Sequence, residues 1–159
     1  LSHFSNYQIK TMSLENTINE AIKTAMRAKD KVALDSLRAV KSQILLLKTE
    51  ARGAEVSAEQ EIAILQRMVK QRKDSAEQFT AQGRNDLAEV EEAQMKVIEQ
   101  FLPKQLSAEE LEAEMKNIIA ETGAESMKDL GKVMGIASKS LAGKSDGKSI
   151  SEMAKKLLS

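Results

Sequence analysis

The sequence has no cysteine, one proline, one histidine and only 3% aromatic residues among its 159 positions. Without cysteine there can be no disulfide, iron–sulfur cluster, thiolate zinc site or cysteine nucleophile. The single histidine, His3, sits in the opening dozen residues, so one chain cannot assemble a Ser-His-Asp arrangement or a multi-histidine metal site. No apolar run approaches the roughly 18 residues that a membrane-spanning helix needs. The opening "LSHFSNYQIKTM" has neither the basic start nor the apolar stretch of a secretory signal. These absences set the expectation of a cytoplasmic chain with no membrane partner, no cofactor and no metal. Net charge is missing too, since 24 basic groups balance 24 acidic ones.

What remains is a helical palette. With so few aromatics the core must come from Leu, Ile, Val, Met and Ala, and straight-chain residues keep most of their rotamer freedom in a helix. Met12-Ser13 reads as a start, which makes residues 1–11 a leader or extension, with an ordered arm as the alternative. Leu14, Ile18, Ile22, Ala25 and Met26 then recur at helical spacing over residues 14–28. Asp30 can cap a second helix through Val32, Leu34, Leu37, Val40, Ile44 and Leu47 toward Gly53. "SAEQ" at 57–60 is a capping box that opens a third, through Ile62, Leu65, Val69 and Phe79 to Gly83. Asn85 can cap a fourth, carrying Leu87, Val90, Val97, Ile98 and Phe101, with Pro103 as its stop.

Past the proline, "SAEE" at 107–110 opens a helix with Leu111, Met115, Ile118 and Ile119 that ends at Gly123. Ser126 can cap another that runs to Gly143, and a last one starts near Asp146 and uses Ile150, Met153, Ala154, Leu157 and Leu158. No stretch alternates with period two, so the expectation is an all-α protein. Its larger N-terminal domain of about four helices, residues 12–103, precedes a small C-terminal three-helix domain, residues 104–159.

The balanced charge conceals a segregation. Residues 89–125 hold ten acids against three lysines, a net of −7, while residues 127–159 hold seven lysines against three acids, a net of +4. A basic end behind an acidic middle raises nucleic acid as a partner, although a lysine-rich solvated helix face is the plainer reading. If residues 127–142 form one helix, Lys128, Lys132 and Lys139 share a stripe opposite Leu130, Val133, Met134, Ala137 and Leu141. Gly135 lies beside that stripe. It would let a phosphate chain approach, or, together with Gly131, merely permit a tight crossing with a neighbouring helix. Ile136 leans to the same side. In "GKSDGK", residues 143–148, Lys144 and Lys148 add charge around glycines and a helix start, a setting that receives anions. A second basic cluster comprises Lys70, Arg72 and Lys73, with Arg84 in the turn that follows; its plain reading is a solvent face with Asp74 as an ion-pair partner.

Catalysis finds little support. "AGKS" is no nucleotide-binding loop, because position 138 is Ser where that pattern needs glycine. No serine–lysine pair and no opposed carboxylates stand out, so no catalytic residue is assigned. The scarcity of aromatics argues against base stacking on single strands and favours structured RNA.

Five landmarks in order, "RKDS" at 72–75, "GRNDL" at 83–87, "LPKQLSAEEL" at 102–111, "GKVMG" at 131–135 and "GKSDGK" at 143–148, give the chain a resemblance to the YqeY-like family. The C-terminal module of that family is shared with the tail of the B subunit of the glutamyl-tRNA/aspartyl-tRNA amidotransferase. The resemblance implies a two-part helical fold and a non-catalytic accessory role on tRNA or a tRNA-charging complex, with Lys132, Gly135, Lys144 and Lys148 as the tRNA-facing positions. Ser145 departs from the alanine common in relatives, without consequence for an anion site. The family label also implies carbon–nitrogen ligase activity with glutamine as amido-N-donor, yet the chain has none of the amidotransferase's catalytic domains. A protein-interaction module without RNA is the remaining alternative.

Overall fold

The computed structural model describes residues 13–159, so the expectation for residues 1–11 lies outside them. Among the described residues the chain is all-helical, with seven α-helices and no strand. They are α1 (Leu14–Ala28), α2 (Lys31–Glu50), α3 (Ala58–Ala81), α4 (Asn85–Glu99), α5 (Ala108–Thr122), α6 (Leu130–Ser140) and α7 (Gly147–Leu158). A single 3-10 turn, Met127–Asp129, precedes α6. The chain divides into two compact units between Phe101 and Leu102.

Local chemistry sets most of the boundaries. Ser13, Asp30, Ser57, Ser107 and Asp146 each accept a backbone N–H at a helix start, meeting one of the donors that the first turn leaves unpaired. Both capping boxes form in full: Ser57 with Gln60, and Ser107 with Glu110. Gly83 and Gly123 take left-handed backbone angles, φ 74° and 69°, where the chain leaves α3 and α5.

Asn85 departs from expectation. The cap position belongs to Arg84, whose carbonyl accepts the N–H groups of Leu87 and Ala88 and whose side chain makes no cap bond. Asn85 is already inside the first turn.

In the first unit α3 lies most extensively against α4, α2 packs on both α1 and α4, and α2 meets α3 more sparingly. Ile18, Leu37, Val40, Ile44, Leu65, Met68 and Ile98 are buried there. Ile64 and Met68 fill the core side of α3, while the expected Ile62, Val69 and Phe79 are only partly covered. Val90 is 44% exposed although its spacing placed it inside. Buried Ser36 is satisfied because its hydroxyl donates to the Val32 carbonyl at 2.8 Å.

The second unit packs α5, α6 and α7 against one another around Leu111, Met115, Ile118, Val133, Ala137, Leu141, Ile150, Ala154 and Leu158. Burying a side chain of Leu or Ile size contributes about 1.5–3 kcal/mol, enough for so small a core to hold three short helices together.

Candidate nucleic-acid interface

Helix α6 turns one side to this core and the other to water. Val133 and Ala137 are wholly buried, with Leu130 and Met134 partly so. Lys132, Gly135, Ile136 and Lys139 are exposed. Seven residues nearly complete two helical turns, so Lys132 and Lys139 lie on one line about 10 Å apart along the axis, with Gly135 and Ile136 between them.

The glycines of α6 are not there to admit a neighbouring helix. A Cβ placed on Gly131 or Gly135 would meet nothing within 4 Å. That overturns the tight-crossing reading of both. Each glycine inside a helix costs about 1 kcal/mol relative to alanine, and no contact in this unit offsets it. What the two glycines do provide is a strip of bare backbone facing outward, flanked by ammonium groups.

Lys128 does not share that line. Ser126 accepts its N–H at 3.3 Å, and the Asp129 carboxylate accepts the N–H of Glu125 at 3.0 Å. These bonds tighten residues 127–129 into the 3-10 turn, so the spacing of α6 does not extend back to 128. Lys132 has a partner within the unit: its ammonium donates to the Thr122 carbonyl at 3.3 Å, satisfying one acceptor left open at the end of α5. An ammonium carries three donors, so two remain available.

Two carbonyls and one N–H of "GKSDGK" are held by neighbouring residues. Gly143 is buried at φ 77°, and its carbonyl accepts from the Gln105 side-chain amide. Leu106 N–H donates to the Lys144 carbonyl at 2.8 Å, and Lys144 N–H donates to Leu141 at 2.9 Å. These bonds occupy the Gly143 and Lys144 carbonyls and the Lys144 N–H, and the N–H groups of Gly143 and Gly147 take no part in them. Gly147 is the first residue of α7, and the Asp146 carboxylate accepts the N–H of Ser149 at 2.6 Å. An anion already sits at that helix start, and it is the chain's own. The side chains of Lys144 and Lys148 remain exposed.

None of Lys128, Lys132, Lys139, Lys144 and Lys148 enters an ion pair among the described residues; the second unit's pair is Lys116–Glu112.

The other basic cluster is dispersed. Lys70 pairs with Asp74 at 3.1 Å, and Arg84 grips Asp86 through two bonds of 3.2 Å. The Arg84 bond holds the Asp86 carboxyl below its ordinary value. Lys73 is exposed, while Arg72 is half-buried and donates to the Met68 carbonyl at 3.3 Å. Among the described residues no group of three or more His, Asp or Glu side chains is placed to hold a metal. No helix there is long and apolar enough to cross a membrane.

The family model for Yqey-like proteins matches residues 15–158. The chain belongs to the YqeY-like family. Among curated relatives it is similar to the altered inheritance of mitochondria protein 41 of Lachancea thermotolerans, at 29% identity over 76% of this chain and 65% of that protein. It is 37% identical to the protein of the same name from Meyerozyma guilliermondii, over 55% of this chain and 45% of that one. An uncharacterised protein of Schizosaccharomyces pombe aligns at 28% identity over 60% of this chain and 76% of its own length. The chain thus spans between about half and two thirds of the two named relatives. Their names carry the word mitochondrial, which overturns the cytoplasmic expectation. Lack of cysteine speaks only to redox chemistry, which does not separate cytoplasm from mitochondrion.

Proposed function

We propose that this YqeY-like chain is a non-catalytic RNA-binding accessory factor that acts on structured RNA, with tRNA as the favoured class. In this reading a larger four-helix N-terminal domain carries a three-helix C-terminal domain that grips the RNA backbone. The observation that carries it is the outward face of α6, where Gly131 and Gly135 lie open with Lys132 and Lys139 alongside and, among the described residues, no carboxylate pairs with either lysine. Bare helix backbone lets a phosphodiester chain come close, and ammonium groups receive its charge without reading sequence. Lys144 and Lys148 extend the positive field along the adjoining turn.

A net +4 beside −7 predicts weak general affinity, with selectivity coming from RNA shape or from a second partner such as a tRNA-charging or amidotransferase complex. The relatives' names favour a mitochondrial setting for that work. Amido transfer by the chain alone has no support in its side-chain chemistry, and purified chain is expected to show no glutaminase activity.

The test is to capture the tagged chain from cells after ultraviolet crosslinking. Recovery of structured RNA crosslinked to peptides of α6 or residues 143–148 supports the reading. Recovery of protein partners without RNA replaces it with an interaction module.

A further inference from the structure

We propose that the groove between α2 and α3 is a second binding site, built for a phosphoryl group. It has a volume of about 550 Å³ and is lined by Ser42 and Gln43 from α2 and by Arg67, Met68, Gln71 and Arg72 from α3. It exists because α2 and α3 meet sparingly, with the short side chains of Ala39 and Ser42 on the α2 side. The lining carries two guanidinium groups and no carboxylate.

Both arginines are held by neutral acceptors only. Arg67 donates from Nη2 to the Gln43 side-chain oxygen at 3.0 Å, and Arg72 donates from Nη1 to the Met68 carbonyl. Neither is in an ion pair among the described residues. Arg72 Nε is shut off from water with no acceptor at all. A buried charged donor left unpaired is costly, so such an atom calls for a physical reason. An oxyanion in the groove supplies one: a small turn about the outer torsions of Arg72 presents its Nε–Nη edge to two oxygens at once.

The charge and geometry select the class of anion. Two guanidiniums match the charge of a phosphate monoester, which is about −1.5 to −2 at neutral pH. One guanidinium fork can meet a planar carboxylate, whereas two guanidinium groups, those of Arg67 and Arg72, line this groove; the Ser42 hydroxyl on the opposite helix already donates to the Arg38 carbonyl at 3.1 Å. The two guanidiniums suit a tetrahedral group. The site lies in the first unit and does not depend on the RNA face of α6.

The test follows the arginine Nε–H resonances of the full chain by nuclear magnetic resonance during titration with inorganic phosphate at constant ionic strength. The expected result is saturable movement of the Arg72 and Arg67 signals. Arg67→Gln, at an exposed position that does not threaten folding, should weaken phosphate binding about tenfold. Movement that never saturates and matches that produced by chloride overturns the proposal, as does unchanged affinity in Arg67→Gln. Competition with ribose 5-phosphate and with a short RNA duplex then separates the sources. Displacement by the sugar phosphate alone assigns a small phosphate ester, and displacement by the duplex assigns backbone phosphate. Displacement by neither overturns the site, which would then hold an adventitious ion only.

Discussion

Before Phe101 four basic side chains of the surface find carboxylates close by, Lys23 with Glu20, Lys48 with Glu15, Lys70 with Asp74 and Arg84 with Asp86, while others such as Arg67 and Arg72 enter no ion pair among the described residues. After Leu102 the lysines of α6 and the turn beyond it have none among the described residues, although the same stretch of chain is rich in acids. Exposed pairs of this kind contribute little stability, about 0–1 kcal/mol each, so folding does not explain the difference. Their effect is on the field. Paired charges cancel within a few ångströms, while unpaired lysines project a positive potential over roughly a Debye length, about 8–10 Å at physiological salt. The contrast is local: the α6 lysines and those of the turn beyond it stand unpaired among the described residues, although residues 102–159 as a whole hold nine basic and nine acidic groups.

The two cores allow that contrast to be broken most forcefully. Met115 is wholly buried among α5, α6 and α7, and Met115→Ala should cost about 2–5 kcal/mol. A thermal melt followed by amide exchange should show protection lost beyond Leu102 while the first unit keeps its own. Loss in both units together would mean that they do not stand as separate cores.

Gly135→Ala gives a smaller effect of opposite sign. With open space around its Cβ, the substitution should stabilise the second unit by about 0.5–1 kcal/mol in denaturant titration while weakening RNA binding. Stabilisation without any change in binding would remove the close-approach role of that glycine.

Acid sharpens the comparison further. Glu110 accepts the Ser107 N–H in its capping box, which holds its carboxyl below the ordinary value of 4.5. A depressed carboxylate contributes stability that is present above 4.5 and disappears as pH falls through the lower folded value. The matching box in the first unit uses Gln60, which does not titrate. Glu61 beside it is shifted upward, chiefly by burial against the weaker opposing pull of Lys48, so protonation of Glu61 favours that unit in acid. Lowering pH toward 4 should therefore weaken the second unit relative to the first, and Glu110→Gln should flatten the difference. Equal acid sensitivity with and without that substitution would exclude the capping carboxylate as its source.

Smallest of all is Lys70→Ala. Its exposed pair with Asp74 contributes about 0.3–0.5 kcal/mol, and RNA affinity should not change measurably. A large loss of binding would move the interface onto the first unit.

The parts of the fold legible in the sequence were those written in neighbouring residues. Ser57 with Gln60 and Ser107 with Glu110 announce helix starts because each box closes within four residues. Asp30 and Asp146 do the same by single bonds. Lys128 was misplaced because the bonds that tighten its turn run through Ser126 and Asp129 and leave no trace in hydrophobic spacing. The hold on the Gly143 carbonyl was not legible, because the amide that bonds it belongs to Gln105, 38 residues earlier. The tight-crossing reading of Gly135 could be removed only by the empty space around it, which no pattern of residues encodes. The unpartnered Arg72 Nε had no sequence signal either, since it depends on how closely α2 approaches α3.

The salt dependence of structured-RNA affinity, compared between the unaltered chain and Lys132→Ala/Lys139→Ala/Lys144→Ala, tests the central claim most directly. About four phosphate contacts predict a slope of log affinity against log salt near −3 to −4, falling to about −1 in the triple variant. An identical slope in both proteins would contradict the account, because the lysines beside the open glycines would then touch no phosphate.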